Sequence, residues 1–246
     1  METLPAETLS LVLDEFVREA CQSFDSDLSA VILFGSAAEG RLRPMSDVNL
    51  MLYLERFDAA RVDRFRAALR VCHSAINASV MFLLRDELPE AARLFAVKFN
   101  DIKARHRVLW GEDPFATLEI DKAELRRRSR EELLNLSIRL RERYAMISLR
   151  EEQIVPVIAA TASPLRAAAL ALLEMRGEAG SMSPREALVR VAADSGKAEF
   201  VSAVDVLPHA REELVLPAGQ AGPTLLHLSA LATHLLVELN KTEPAV

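Results

Sequence analysis

The chain has 246 residues, half of them hydrophobic and 5% aromatic, with a formal net charge of −6. That length buries one large or two modest cores. The acidic balance argues against a general nucleic-acid or anionic-membrane binder, which needs a basic surface, though not against a local pocket for one nucleotide.

Residues 7–23 place Leu9, Leu13, Phe16, Val17 and Ala20 at helical spacing. Ser29–Phe34 is a short apolar run closed by Gly35, which reads as a strand. Pro44 and Ser46 mark a loop, and Val48–Leu54 is a second strand. Asp58 is placed to cap an amphipathic helix over 58–72. Residues 77–84 read as a third strand, 88–103 as a helix and 107–110 as a fourth strand ended by Gly111. Strands alternating with helices imply an α/β or α+β layer.

Gly111–Phe115 reads as a hinge, and the remainder is helical. Asp121 and Glu124 have capping-box spacing before a long charged helix reaching Ile147. Ser163-Pro164 reads as the start of the next helix, Gly177 as its end, and Ser183-Pro184-Arg185-Glu186 as another start. A last helix spans roughly 223–239, giving a bundle of about five helices. The expected architecture is therefore α+β: a mixed sheet with helices over residues 1–116, then an all-α bundle over 117–246.

Cys21 and Cys72 lie in apolar helical stretches and read as buried thiols of a cytoplasmic protein. No basic region followed by an apolar run opens the chain, so no signal peptide is expected. The apolar stretch 225–239 is interrupted by His227, Thr233, His234 and Glu238, too short and polar for a membrane span.

The chemistry concentrates between the first two strands. Gly35-Ser36 ends one strand, ten residues follow, and Asp47-Val48-Asn49 opens the next. Carboxylates at i and i+2 of a strand share a face and can clamp metal ions. A Gly-Ser turn offers N–H groups and a hydroxyl to a phosphate tail. Each residue also has a plain structural reading. Gly35 supplies a turn, Ser36 caps it, and Asp47 starts the strand.

Gly35-Ser36 and Asp47-Val48-Asn49 at this spacing resemble the GS-x10-DxD signature of the minimal and aminoglycoside-type nucleotidyltransferases of the polymerase-beta-like superfamily. Val108–Phe115 is similar to the segment that often closes their catalytic domain. The resemblance implies that Gly35 and Ser36, with Arg41 and Arg43 of the following loop, bind the phosphates of ATP or another NTP. It implies that Asp47 is catalytic and that Asp47 and Asn49 ligate Mg²⁺ if the protein is active.

This sequence departs from that pattern twice. Asn49 replaces the second acid, and the third strand offers Ser79, with Asn77 and Met81 on the same face, where a third acid is expected. Losing two charges at a few ångström removes several kcal/mol of metal attraction. Glu39, Glu55, Asp86 and Glu87 are the nearby acids that could substitute. The arginines at 126, 127, 128 and 130 either bind an anion or form a solvated face with partners such as Glu131 and Glu132.

Two functional expectations follow. One is a catalytically impaired nucleotidyltransferase-fold protein, a pseudoenzyme that binds a nucleotide or acts through a partner. The other is an active Mg²⁺-dependent enzyme moving NMP from an NTP to a small-molecule or protein hydroxyl. No general nucleic-acid binding and no membrane association are expected, and a homodimer stays open.

Overall fold

The computed structural model describes residues 6–40 and 47–242. Contacts divide the chain into two compact units, Met1–Ile120 and Asp121–Val246.

The first unit is built on four strands: β1 (Leu28–Phe34), β2 (Val48–Leu54), β3 (Ala78–Leu84) and β4 (His106–Gly111). Their order across the sheet is β3-β2-β1-β4. β1 is antiparallel to both β2 and β4, whereas β2 and β3 are parallel, so the sheet is mixed. The parallel pair needs a crossover, supplied by α2 (Ala59–Ile76). Strand alternation sends Val31, Leu33, Leu50, Leu52 and Leu54 to one face. There they pack on α1 (Ala6–Phe24) and α2 through Phe16, Phe24 and Phe65. The opposite face carries Ala30, Ile32, Met51, Tyr53 and Leu83. It is covered by α3 (Leu88–Leu94) and α4 (Ala96–Ala104), with Phe99, Ile102 and Phe115 in its core.

Several local signals act as expected. The Asp58 carboxylate accepts the Arg61 N–H at 2.9 Å and caps α2. The closing segment is held by Gly111 and Asp113. Gly111 has φ +85° and lies so close to β1 that a Cβ there would fall 2.1 Å from the Ser29 carbonyl oxygen. Only glycine fits both constraints. Asp113 accepts the Phe115 N–H at 2.8 Å, which turns the chain and delivers Phe115 to the core. The expected helix over 88–103 is instead two, broken at Phe95 (φ −115°, ψ 43°).

The second unit holds six helices among the described residues: α5 (Lys122–Ile147), α6 (Glu151–Arg176), α7 (Pro184–Asp194), α8 (Ala198–Asp205), α9 (Leu207–Glu212) and α10 (Ala221–Lys241). Ser183 and Glu186 form a reciprocal capping box at α7. Asp121 caps α5 by accepting the Ala123 and Glu124 N–H groups.

The expected start at Ser163-Pro164 is corrected: α6 runs through both Pro156 and Pro164. An interior proline costs about 3 kcal/mol. Here that cost is offset by burial of Ile154, Ile158, Leu165, Leu170, Leu172 and Leu173, each contributing about 1.5–3 kcal/mol. By length and composition α6 could cross a membrane, yet these same residues form the core of the bundle.

Candidate functional site

The site lies at the end of the sheet where β1 finishes and β2 begins. The register aligns Ser79 of β3, Asn49 of β2, Phe34 of β1 and His106 of β4 in one row across the sheet. Gly35 follows Phe34 directly, with φ +76°, and opens a single 3-10 turn over Gly35–Ala37. The Gly35 N–H donates to the Arg105 carbonyl at 2.9 Å, which moors the turn to the end of α4. The Gly35 carbonyl accepts from Ala38 at 3.1 Å. Among the described residues, the Ser36 N–H and the Ser36 hydroxyl have no hydrogen-bond partner. An N–H group and a hydroxyl of one half-buried serine at this turn can receive an anion.

Asn49 stands beside this turn. A Cβ on Gly35 would meet the Asn49 Nδ2 at 3.7 Å, so the amide faces Gly35 across van der Waals distance. The same Nδ2 donates to the Asp47 carbonyl oxygen at 3.4 Å. Asp47 itself is exposed, just before β2. Its carboxylate accepts a hydrogen bond from Asn77 Nδ2. Gly35, Ser36, Asp47 and Asn49 therefore sit at one end of the sheet, with Ser79 next to Asn49 in register. Arg41 and Arg43 lie outside the described residues.

Asn77 is a correction to the expected third strand, which begins at Ala78. Asn77 is the left-handed C-cap of α2 (φ 51°, ψ 45°), with its N–H on the His73 carbonyl at 2.9 Å. Asparagine is among the few non-glycine residues that enter this region readily. An asparagine between an apolar helix and a strand was the available signal for it.

The four substitute acids divide cleanly. Glu55, Asp86 and Glu87 follow the C-terminal ends of β2 and β3, which run parallel. Seven-residue strands place those ends roughly 20 Å from Asn49. Glu55 is occupied there by the Ser29 hydroxyl at 2.7 Å and by Arg85 at 3.1 Å, and Glu87 accepts the Leu84 N–H. Glu39 is at the correct end but forms an ion pair with Arg105 at 3.3 Å. Asp101 holds the same guanidinium. Burial works against the Arg105 charge, but Asp101 and Glu39 outweigh it and raise its pKa. This half-buried triad braces the residue whose carbonyl moors Gly35.

The donor set can be judged against the expected metal pair. Asp47 supplies one carboxylate with one oxygen already accepting from Asn77. Asn49 contributes an uncharged amide and Ser79 a hydroxyl. Among the described residues, no three His, Cys, Asp or Glu side chains are grouped to hold a metal. Mg²⁺ is held by carboxylates together with substrate phosphates, and a pair of such ions needs more charge than Asp47 provides. These residues do not fit a two-metal centre.

The arginines at the start of α5 are mostly engaged within the helical unit. Arg127 and Arg128 pair with Glu124, and Arg128 also with Glu131 at 3.1 Å. The hydrogen bond from Arg127, with Arg128 beside it, holds the Glu124 carboxyl down to about 2. Arg126 donates to the Leu239 and Asn240 carbonyls at the end of α10.

Comparison with known proteins identifies the fold and the family. A protein of Methanocaldococcus jannaschii named "Putative protein adenylyltransferase" is 40% identical over 58 residues, a segment covering 24% of this chain and 40% of that relative. The chain thus spans well under half of that relative's length. The crystal structure of a spectinomycin adenyltransferase from Enterococcus faecalis, solved with ATP and spectinomycin, superposes with a TM-score of 0.59. That match covers 94% of this chain and 99% of the other at 12% identity, which shows a shared fold. The nucleotidyltransferase domain model matches residues 13–151, more than half of the chain. With its mixed sheet, its Gly-Ser turn and that match, the chain belongs to the nucleotidyltransferase domain family.

Proposed function

We propose that this protein is a catalytically impaired member of its family that binds a nucleotide at the Gly35–Ala37 turn. One observation carries the reading. Among the described residues the turn keeps a free Ser36 N–H and hydroxyl, while the acid set beside it is reduced to Asp47, already hydrogen-bonded to Asn77. Phosphate binding needs the first feature, and two-metal nucleotidyl transfer needs the second intact. Arg41 and Arg43, from the loop joining β1 to β2, are proposed to add positive charge for the phosphate tail. The nucleotide-binding domain is assigned to residues 1–116 and the helical domain to 117–246. The free Cys21 and Cys72, the latter buried with its thiol pushed up to about 11 by burial, support a cytoplasmic setting.

The alternative is an active transferase that moves an adenylyl group to a small-molecule or protein hydroxyl with Mg²⁺. The similarity to the Methanocaldococcus jannaschii protein favours it. Label transfer separates the two readings. ATP radiolabelled on its α-phosphate is incubated with the protein and Mg²⁺, alone and with candidate small-molecule and protein acceptors. The proposed function predicts ATP binding without label transfer or pyrophosphate release. Stoichiometric labelling of an acceptor, abolished by Asp47→Asn, would replace it with the active reading.

A further inference from the structure

Asn77 ties the end of α2 to the start of β2 by three hydrogen bonds. Its N–H bonds the His73 carbonyl of α2 at 2.9 Å, its carbonyl accepts the Val48 N–H of β2 at 3.3 Å, and its side-chain amide donates to the Asp47 carboxylate. The left-handed backbone sets the direction in which the side chain leaves the end of α2. On the other side, Asn49 donates to the Asp47 carbonyl at 3.4 Å. The one acid left at the motif thus has an amide on its carboxylate and another on its backbone carbonyl. An N–H donor presents partial positive charge to a carboxylate oxygen, the place a cation would otherwise take.

We infer that Asn77 is a positioning residue that occupies the Asp47 carboxylate in place of a divalent cation. The site would then receive its phosphate-bearing ligand free of metal. This rests on the nucleotide-binding reading above, but its core claim concerns metal affinity in the absence of nucleotide. The amide competes with a cation for the same oxygen, and backbone bonds to α2 and β2 hold the Cα from which it reaches Asp47. Asn77 also lies close enough that a carboxylate in its place would face Asp47 directly. Asn77→Asp therefore converts a donor–acceptor pair into two acids sharing one spot. Like charges at hydrogen-bond distance repel strongly, and a cation between them relieves that repulsion.

The test is Mn²⁺ binding, read by electron paramagnetic resonance on the full chain without nucleotide. The wild type is expected to show no saturable site tighter than about 1 mM. Asn77→Asp is expected to gain at least about tenfold in affinity, and Asp47→Asn/Asn77→Asp to lose that gain. Because Asn77→Asp also adds a carboxylate ligand of its own, Asn77→Gly is measured alongside it to isolate the loss of the amide. A wild type that binds Mn²⁺ tightly, or a folded Asn77→Asp with unchanged affinity, would overturn the inference. If Asn77→Asp does not fold, Asn77→Gly carries the test, because glycine accepts the positive φ while deleting the amide. A rise of at least about threefold in Mn²⁺ affinity supports the competition between amide and cation, and unchanged affinity refutes it. Because no nucleotide is present, failure of ATP binding leaves this outcome independent.

Discussion

Restoring the second acid with Asn49→Asp probes the site through stability as well as binding. Asp47 and residue 49 stand two apart at the start of a strand, so their Cα atoms are about 6.6 Å apart and their side chains share a face. Two carboxylates there approach to about 5 Å, which at an effective dielectric of about 20 corresponds to about 3 kcal/mol of repulsion. Asp47 is exposed, and solvent reduces that to about 1 kcal/mol. The substitution also removes the long 3.4 Å bond from Asn49 to the Asp47 carbonyl, worth about 0.5 kcal/mol. Without divalent cations the variant should lose about 1–2 kcal/mol, a fall of several degrees in Tm. Mg²⁺ should restore it, because a ligand bound only by the folded state at about 100 times its Kd returns about 2.7 kcal/mol. The wild type should show little response. Thermal melts of both proteins with and without Mg²⁺ provide the assay. An Asn49→Asp variant as stable as wild type and indifferent to Mg²⁺ would show that residues 47 and 49 do not share a site.

Gly111→Ala should be the most damaging small substitution in the first unit. It combines a positive φ, costing about 1–2 kcal/mol, with a clash against the Ser29 carbonyl, costing about 1–3 more, and urea denaturation should show a loss of about 2–5 kcal/mol. Arg105→Ala strands the half-buried Glu39 and Asp101 beside the Gly35 turn and should cost about 1–3 kcal/mol; it should also weaken any nucleotide binding, measured by calorimetry. Glu124 has its pKa lowered to about 2 from an ordinary 4.5. Its contribution is therefore fully present above about 4.5 and disappears as pH falls through about 2. The Tm difference between wild type and Glu124→Gln should be constant above that window and shrink through it; a difference that persists at the acid end would contradict the ion pair.

How far the sequence could be read depended on how local each signal was. β1 and β2 are apolar runs bounded by Gly35 and Asp47, and Asp58 and Ser183 cap the very helices they precede, so these features depend on a few adjacent residues. Pro164 misled because a proline start signal is local while the burial of α6 that overrides it is tertiary. The mooring of Gly35 by Arg105 joins residues 70 positions apart, and no local pattern announces it. The same holds for Asn77 and Asp47, separated by 30 positions. The missing second and third acids were legible as residue types, but the remoteness of Glu55, Asp86 and Glu87 required the parallel pairing of β2 with β3.

The proposed function requires a phosphate-binding turn beside an incomplete metal site. Calorimetric titration of the full chain with ATP, with and without Mg²⁺, tests it most directly. The account predicts saturable binding with an affinity that Mg²⁺ does not strengthen, reduced in Ser36→Ala and in variants of Arg41 and Arg43. Binding that appears only with Mg²⁺, or no binding to ATP or any other NTP, would contradict it.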